Sequence, residues 1–436
     1  MSAWNREPLH ISENGRYLLE GEKPFFWLGD TAWLLFLRLT EEEIEVYLRN
    51  RKEKGFNVIQ AVLIHSLPDG EGRMSTVPPA RRNPLAKEYW EFVDRVLDRM
   101  ESYGLYAGLL PCWGQNVKSG AIDPAKMEEY ANFLGKRFQN RKNIIWILGG
   151  DVRGDAAPVV FDLEGRILKQ YNPERMITYH PFGRTSSSLW FHDREWLDFN
   201  MFQSGHRRYD QQRLGEWDDN TAKEEYFGED NWRYVVRDHG YAKVKPTLDG
   251  EPSYEGIPQG LHNPRNPYWE EWDVRRYAYW SVFQGAAGHT YGNNAIQQCR
   301  DDVAEPCSFG ARELMKDAIH HPGAGQLHHL KALMESVDFI KGAPREDLLC
   351  FGQKERYHRI AVFAGADFIF CYDYMGDEFM LKLTEYKDRA FDCYWLDPRD
   401  GSMSYIETIK GEEKHLFSPT ARKEKANDWV LVMRET

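Results

Sequence analysis

Eight short apolar segments recur between residues 25 and 291, and segments with helical periodicity separate several of them. The predicted strands are Phe25–Gly29, Phe56–Ile64, Leu105–Pro111, Asn143–Leu148, Met176–His180, Leu197–Phe202, Pro246–Asp249 and Gly288–Tyr291. This alternation is typical of a parallel sheet with outer helices, and eight strands close a (β/α)8 TIM barrel. A doubly wound open sheet is the alternative, but it usually carries a glycine-rich phosphate turn after its first strand. The segment Gly29-Asp30-Thr31-Ala32-Trp33 is not such a turn, so the sequence favours the barrel.

Capping signals place helices between the early strands. Thr40 followed by Glu43 is a capping box, and the helix that it opens is expected to end before Gly55. Asp123-Pro124 predicts an N-cap with proline at the first helical position. A third helix is predicted from one apolar stripe, made by Phe92, Val93, Val96, Leu97 and Met100.

The two ends of the chain predict antiparallel structure. Asn14-Gly15 between Leu9–Ile11 and Tyr17–Leu19 indicates a β-hairpin beside the barrel. After about Gly342 the helical period disappears, and strand-like segments with tight turns predict a small antiparallel β-sandwich. Its predicted strands are His358–Phe363, Asp367–Tyr372, Phe379–Leu383, Phe391–Leu396, Met403–Ile406 and Trp429–Met433. We therefore expect a catalytic barrel domain over 1–341, including the hairpin, and a sandwich domain over 342–436.

Composition excludes several classes of protein. The 436 residues contain 56 basic and 68 acidic side chains, a net charge of −12, which argues against a nucleic-acid partner. No apolar segment approaches the roughly 18 residues of a membrane span. Six cysteines without a C-x-x-C spacing predict neither a disulfide scaffold nor a zinc knuckle. The first residues lack the apolar segment of a secretory leader, which favours a cytoplasmic protein, with a trimmed leader as the alternative. We also expect no cofactor. The oligomeric state is left open.

Polar and aromatic side chains follow nearly every predicted strand. In a (β/α)8 barrel these positions surround the active site. Trp33, Trp113 and Tyr291 are candidate stacking walls for a sugar, with core packing as the alternative, and Asp30 either binds a sugar hydroxyl or caps its segment. The full set of candidate substrate-binding residues is Asp30, Trp33, His65, Trp113, His180, Arg184, Gln203, His206, Tyr254 and Tyr291.

Two acidic residues at strand ends suggest glycosidic-bond hydrolysis. Asp151 follows Gly149-Gly150 after the fourth strand, and Glu251 follows Asp249-Gly250 after the seventh. Hydrolysis needs one carboxylic acid that protonates the leaving oxygen and one carboxylate that attacks or activates water. The alternatives are an N-cap for Asp151 and a surface turn for Glu251.

The histidines and arginines near the rim allow further interpretations. His65, His180, His206 and His289 follow or end four different strands, as in metal-dependent barrels, but no His-x-His follows the first strand, so we predict no metal. Four arginines after the fourth to sixth strands suggest a basic patch for an acidic substrate, with solvated loop charge as the alternative. They are Arg153, Arg184, Arg207 and Arg208.

Several motifs resemble the apiosidase-like glycoside hydrolases (family 140), which have a clan A-type barrel. They are Phe26-Trp27-Leu28-Gly29-Asp30-Thr31-Ala32-Trp33, Gly55-Phe56-Asn57-Val58-Ile59-Gln60, Gly149-Gly150-Asp151 and Asp249-Gly250-Glu251-Pro252, with Trp395-Leu396-Asp397-Pro398-Arg399-Asp400-Gly401 in the C-terminal module. The resemblance covers the whole chain. It implies a retaining hydrolase with Asp151 as acid/base and Glu251 as nucleophile.

The same resemblance implies an oligosaccharide substrate from the plant cell wall, with apiose-containing side chains of pectin as the substrates known in the family. Most of the clan carries Asn-Glu after the fourth strand, where this chain has Gly150-Asp151. A shorter aspartate requires a strand or loop displaced toward the sugar. The alternatives are a barrel glycosidase of mannanase- or glucanase-like specificity and a non-catalytic carbohydrate-binding barrel, although binding alone does not need the acid pair.

Overall fold

The computed structural model describes residues 4, 6–211, 218, 227–352, 355–411, 413–419 and 424–436. Its strands are β1 Leu9–Ile11, β2 Leu18–Glu20, β3 Lys23–Phe25, β4 Trp27–Thr31, β5 Val58–Ile64, β6 Tyr106–Cys112, β7 Ile144–Gly149, β8 Ile177–His180, β9 Thr185–Ser186, β10 Asn200–Gln203, β11 Thr247–Asp249, β12 Gly288–Tyr291, β13 Ala343–Pro344, β14 Leu349–Phe351, β15 Ile360–Ala364, β16 Phe368–Asp373, β17 Phe379–Leu381, β18 Ala390–Leu396, β19 Met403–Lys410, β20 His415–Phe417 and β21 Trp429–Glu435.

The helices are α1 Leu35–Arg38, α2 Glu41–Glu53, α3 Lys87–Ser102, α4 Gln115–Lys118, α5 Pro124–Phe138, α6 Pro158–Tyr171, α7 Ser188–Phe191, α8 Trp232–His239, α9 Glu271–Phe283, α10 Asn294–Gln297, α11 Met315–Ala318 and α12 Pro322–Glu335. The three predicted helices are confirmed as α2, α3 and α5. Both parts of the Thr40–Glu43 capping box form, and Asp123 accepts a hydrogen bond from the backbone N–H of Lys126.

Eight parallel strands form the predicted barrel. Their order around the sheet is β8-β7-β6-β5-β4-β12-β11-β10, and the short β9 is antiparallel to β10. The gap between β8 and β10 is bridged where the backbone N–H of Asp198 donates to the carbonyl of Ile177 at 2.9 Å and Thr178 Oγ1 donates to the carbonyl of Phe199 at 2.7 Å. β5 and β6 are buried at every position, which explains their almost unbroken apolar sequence.

The predicted N-terminal hairpin is confirmed, with one more strand than expected. β1, β2 and β3 form an antiparallel sheet, and β3 takes Phe25, which we had expected at the start of the first barrel strand. Phe26 separates β3 from β4. The chain therefore leaves the hairpin and enters the barrel within two residues.

The C-terminal region contains two antiparallel sheets. One has the order β13-β15-β16-β21-β18-β19 and the other β14-β17-β20. Ile369 and Cys371 of β16 pack into a core shared by the two sheets, whereas Phe368, Phe370 and Tyr372 pack against the barrel. Both faces of β16 are therefore buried, one by the smaller sheet and one by the barrel, whereas the edge strand β19 is mostly exposed.

A buried ion pair joins the sandwich to the barrel. Arg275 of α9 donates to both oxygens of Asp428 at 2.8 and 2.7 Å, and both side chains are almost fully buried. Beside this pair, Tyr279 of α9 stacks on Tyr372 of β16 with ring centroids 4.5 Å apart. Among the described residues, no helix is long and apolar enough to cross a membrane.

Candidate active site

Asp151 lies after β7 on a left-handed stretch of backbone. Gly149, Gly150 and Asp151 have φ values of 83°, 106° and 53°. A Cβ at Gly150 would lie 2.9 Å from the Trp113 ring, and one at Gly149 would lie 2.5 Å from the carbonyl oxygen of His180. Only glycine fits such close approaches, as the sequence had indicated. Asp151 caps no helix, because the next helical turn begins after Arg153.

Glu251 lies two residues beyond the end of β11 and is 6% exposed, which excludes the surface-turn interpretation. Its backbone carbonyl accepts a hydrogen bond from the N–H of Gly205, after β10, at 3.1 Å. The preceding carbonyl, of Gly250, accepts one from Gln60 Nε2 at 3.0 Å. Glu251 is thus held from the neighbouring strand β10 and from the barrel interior.

Two histidines hold the two carboxylate oxygens of Glu251. His206 Nε2 lies 3.0 Å from Oε1, and His180 Nε2 lies 3.0 Å from Oε2. The backbone N–H of Asp151 lies 3.5 Å from His180 Nδ1. Burial acts to lower the pKa of His180, but the contact with Glu251 and the negative charges of Glu251 and Asp151 outweigh it and raise that pKa. His206 is held by its own backbone N–H, which donates to Ser253 Oγ at 2.8 Å.

The two acids lie close together. Asp151, His180 and Glu251 each offer one polar side-chain atom, and these three atoms lie within 4.8 Å of one another. The two carboxyl groups are therefore close enough to act on one glycosidic bond.

The pKa values of the two acids shift in opposite directions. Burial and the negative charge of Glu251 raise the pKa of Asp151 to about 7, against weaker lowering by His180 and by a hydrogen bond from Gln203. Burial also acts to raise the pKa of Glu251, but the hydrogen bonds and positive charge of His180 and His206 outweigh it and lower that pKa to about 2. At neutral pH the site therefore holds one carboxylate and one carboxyl group that can carry a proton. Two carboxyl groups whose pKa values are shifted apart in this way are suited to act as a general acid and a nucleophile.

Aromatic side chains border this pair. Trp33 contacts His180 edge-on with centroids 5.3 Å apart, and Trp113 lies 5.4 Å from Trp33. His65 stacks on Trp113 at 5.3 Å, and burial lowers the pKa of His65 to about 4, so this ring is neutral. Tyr254 meets His206 edge-on at 4.9 Å.

Seven of the ten candidate binding residues therefore converge around Asp151 and Glu251. They are Trp33, His65, Trp113, His180, Gln203, His206 and Tyr254.

The other three candidates are engaged in buried networks. Asp30 is fully buried and accepts hydrogen bonds from Tyr47 and Arg51. Tyr291 is 1% exposed and donates to Glu255 at 2.5 Å. Arg184 is buried with its Nη2 3.1 Å from both oxygens of Asp218, so it is not a freely exposed rim charge.

The four arginines that suggested a basic patch are all paired with acidic side chains. Arg207 also contacts Asp218, the partner of Arg184, and its Nη2 donates to Asp218 Oδ2 at 2.8 Å. Arg153 and Arg208 each form a local ion pair with an acid two residues further along the chain, Asp155 and Asp210.

Three residues near Glu251 were not among the predicted site residues, although Gln60 and Asp249 stand in the motifs quoted above. Gln60 donates to the carbonyl of Gly250, Ser253 Oγ accepts from the backbone N–H of His206, and Asp249 accepts from Ser204 and Asn231. Gln60 gave a readable signal, because it is the one polar residue in the seven-residue strand β5. Ser253 and Asp249 gave none, since serine and aspartate are common after strands.

Asp151, His180 and Glu251 are also the described residues whose ligand atoms could converge on a metal ion. His206 Nε2 forms a hydrogen bond with Glu251 Oε1, and His180 Nε2 lies at ion-pair distance, 3.0 Å, from Oε2. His65 is occupied by Trp113, and His289 Nδ1 lies 3.4 Å from Ser281. The four histidines thus do not form one set of ligands.

Comparison with known proteins agrees with this geometry. A family model described as "Apiosidase-like, catalytic domain" matches residues 12–341. The chain belongs to the apiosidase-like family. A second model, "Putative collagen-binding domain of a collagenase", matches residues 343–434 of the apiosidase-like chain. No protein of curated function matches its sequence.

Two solved structures resemble the apiosidase-like chain over almost its whole length. A glycoside hydrolase is 37% identical with a TM-score of 0.91, and the match covers 99% of this chain and 97% of that one. A glycoside hydrolase family 5 structure from Bacteroides vulgatus ATCC 8482 is 36% identical with a TM-score of 0.90, covering 98% and 93%. The protein is an O-glycosyl hydrolase with a carbohydrate substrate.

Proposed function

We propose that this protein is a retaining glycoside hydrolase that uses Glu251 as nucleophile and Asp151 as acid/base. The observation that carries the proposal is the closeness of the two acids, because one carboxylate oxygen of Asp151 and one of Glu251 lie within 4.8 Å of each other. Retaining enzymes place their carboxyl groups about 5–5.5 Å apart, whereas inverting enzymes leave about 6.5–9.5 Å for a water molecule.

In the first step, Glu251 attacks the anomeric carbon and forms a glycosyl ester while the bond to the leaving oxygen breaks. Asp151 transfers its proton to that oxygen, and the alcohol departs. In the second step, Asp151 removes a proton from water, the water oxygen attacks the anomeric carbon, and the ester bond to Glu251 breaks. The raised pKa of Asp151 suits the first transfer, and the lowered pKa of Glu251 suits nucleophilic attack.

The neighbouring residues have supporting roles in this proposal. His180 and His206 orient and stabilise the ionised Glu251, and Gln203 orients Asp151. Trp33, Trp113 and His65 form the aromatic wall beside the sugar, and Tyr254 packs on His206. Asp30, Arg184 and Tyr291 act through the buried networks that hold the barrel loops.

We propose an apiose-containing pectic oligosaccharide of the plant cell wall as the substrate. Membership in the apiosidase-like family supports this choice. Mannanase- or glucanase-like specificity is the alternative, and hydrolysis of a cell-wall oligosaccharide panel distinguishes the two. We further propose that 1–341 and 342–436 are separate domains, in agreement with the two family-model ranges.

The mechanism can be tested in two ways with the full-length protein. The first sugar product, followed by NMR immediately after cleavage, should have the same anomeric configuration as the substrate. A 2-deoxy-2-fluoro glycoside with a good leaving group should label one peptide, the one containing Glu251. An inverted product, or a label on another residue, would refute the assignment.

A further inference from the structure

The described residues between β10 and α8 are 204–211, 218 and 227–231, and we call them the β10–α8 connection. They include His206, which contacts the proposed nucleophile Glu251. The connection leaves β10 beside Glu251 and returns at α8, and both ends are fastened to one buried acid. Asp249 Oδ2 accepts a hydrogen bond from Ser204, at the start of the connection. It also accepts one from Asn231 Nδ2, at the end of the connection, at 3.0 Å. Asp249 is fully buried, so this fastening is protected from water.

A second fastening lies further along the same connection. The backbone N–H of Tyr209 donates to Glu229 Oε1 at 3.3 Å, and the Tyr209 hydroxyl donates to Asp230. Glu229 is fully buried, and its other oxygen accepts from Arg276 Nη2 of α9 at 2.7 Å. Tyr209 is three residues beyond His206, so its position limits where the imidazole can lie.

The C-terminal sandwich contacts Glu229 and Tyr209 of this second set of hydrogen bonds. The Tyr357 hydroxyl donates to Glu229 Oε1 at 2.7 Å, and the Tyr357 ring lies edge-on to Tyr209 with centroids 5.5 Å apart. The Arg356 guanidinium lies 4.8 Å from the Tyr209 ring, and Arg359 lies 4.3 Å from the ring of Trp232, the first residue of α8. Three neighbouring residues of the sandwich therefore contact both sides of the connection.

We propose that the sandwich segment Arg356–Arg359 is a positioning element of the active site. It holds the β10–α8 connection so that His206 donates to Glu251, and the sandwich thereby contributes to turnover without touching substrate. This proposal rests on the assignment of Glu251 as nucleophile. The groups that face Glu251 are His180, His206, Asp151 and Tyr254, and the segment acts on one of them, His206.

Tyr357→Ala tests the proposal, because it removes both the hydrogen bond to Glu229 and the ring contact with Tyr209. With the 4-nitrophenyl glycoside that wild type cleaves fastest, kcat should fall about fivefold, a typical effect of a remote coupling residue, with KM nearly unchanged. The acid limb of the profile of kcat/KM against pH should move to higher pH, because a displaced His206 lowers the pKa of Glu251 less. Tyr357→Phe, which keeps the ring, should restore part of the loss.

Tyr372→Phe is the matched control. Tyr372 also donates from the sandwich to a buried carboxylate, Asp428, which Arg275 of α9 holds. Within the described residues, Tyr372 forms no hydrogen bond or ring contact with the β10–α8 connection. The Tyr372→Phe variant should have the same kcat as wild type, and the acid limb of its pH profile should lie at the same pH. If Tyr357→Ala leaves both unchanged, or if Tyr372→Phe changes them equally, the proposal is wrong.

Two further measurements cover the case in which Tyr357→Ala does not fold and separate the positioning role from the nucleophile assignment. If Tyr357→Ala does not fold, Tyr357→Phe and Arg356→Ala are compared with Tyr372→Phe by the same two readouts, and equality with the control overturns the proposal. Glu251→Gln is measured alongside. Full activity in that variant would overturn the nucleophile assignment, whereas an inactive Glu251→Gln with an unaffected Tyr357→Ala would overturn the positioning role alone.

Discussion

The ends of β7 and β11 carry similar sequences but place their acids in opposite environments. Each strand runs through glycine into a carboxylate, Gly150-Asp151 in one case and Gly250-Glu251 in the other. Glu251 has a histidine nitrogen 3.0 Å from each of its oxygens, whereas Asp151 receives a hydrogen bond from an uncharged amide, that of Gln203. Donors that can carry charge, rather than depth of burial, therefore separate the pKa values of the two acids.

Backbone strain marks the same region. Asp151, Arg184 and His206 have φ values of 53°, 66° and 75°, and they follow β7, β8 and β10. Non-glycine residues in this conformation persist where the surrounding structure fixes them, and they cluster at functional sites. Asp151 and His206 both lie beside Glu251, so the positive-φ residues include two of its neighbours.

Glu251→Gln should give the largest effect. It removes the proposed nucleophile but keeps a side chain of the same size, so we expect kcat to fall about 10⁵-fold or more. Initial rates on the fastest aryl glycoside measure this, with circular dichroism as the check on folding. Residual activity within tenfold of wild type would contradict the role of Glu251.

Asp151→Asn should give the second largest effect, and one that depends on the leaving group. General acid catalysis contributes about 10²–10⁴-fold, so poor leaving groups should lose about that much. A 2,4-dinitrophenyl glycoside needs little protonation and should lose far less in the first step. Added azide should then restore turnover by forming a glycosyl azide. Equal losses for all leaving groups would argue against an acid/base at this position.

The pH dependence of kcat/KM should be bell-shaped with a basic limb near pH 7. Asp151 must be protonated for the first step, and its pKa is raised to about 7, so kcat/KM should fall about tenfold per pH unit above that value. Glu251 must be ionised, and its lowered pKa keeps the acid limb at low pH. Burial also raises the pKa of Asp249 to about 7, so Asp249→Asn is the necessary comparison. The limb should persist in that variant and vanish in Asp151→Asn.

His206→Phe should have an intermediate effect. It keeps a ring against Tyr254 but removes the donor to Glu251 Oε1. A hydrogen bond to a charged group contributes about 1.5–3 kcal/mol, so kcat/KM should fall about 10- to 100-fold. The acid limb should also move to higher pH. His65→Phe is the control, because His65 stacks on Trp113. In the His65→Phe variant, the acid limb of the pH profile should stay at the wild-type pH.

The barrel was predictable because its strands are buried on both sides. All eight barrel strands were located, since a strand such as β5 shows a nearly continuous apolar sequence. β13, β14 and β20 were missed because each has only two or three residues with exposed positions, and a period of two cannot be read from so few. The division of the first predicted strand into β3 and β4 was missed for a related reason, since its apolar sequence does not break at Phe26.

The site was predictable at its centre and less so around it. The two acids and their histidines follow strands, where a barrel gathers its functional groups. Asp30, Arg184 and Tyr291 also follow or end predicted strands, although β4 extends past Asp30 to Thr31. Their partners Arg51, Asp218 and Glu255 lie 21, 34 and 36 residues away in the sequence. Position after a strand therefore does not tell whether a polar side chain faces the site or a buried ion pair.

Gln203→Leu should give the smallest effect and complete the comparison between the two acids. The hydrogen bond from Gln203 lowers the pKa of Asp151, so its removal should raise that pKa and move the basic limb to higher pH. A neutral hydrogen bond contributes about 0.5–1.5 kcal/mol, so we expect a change of at most about tenfold in kcat/KM at pH 6. His206→Phe should move only the acid limb and Gln203→Leu only the basic limb. If either variant moved both limbs equally, the two acids would titrate as one unit, and the separate roles assigned to Asp151 and Glu251 would have to be abandoned.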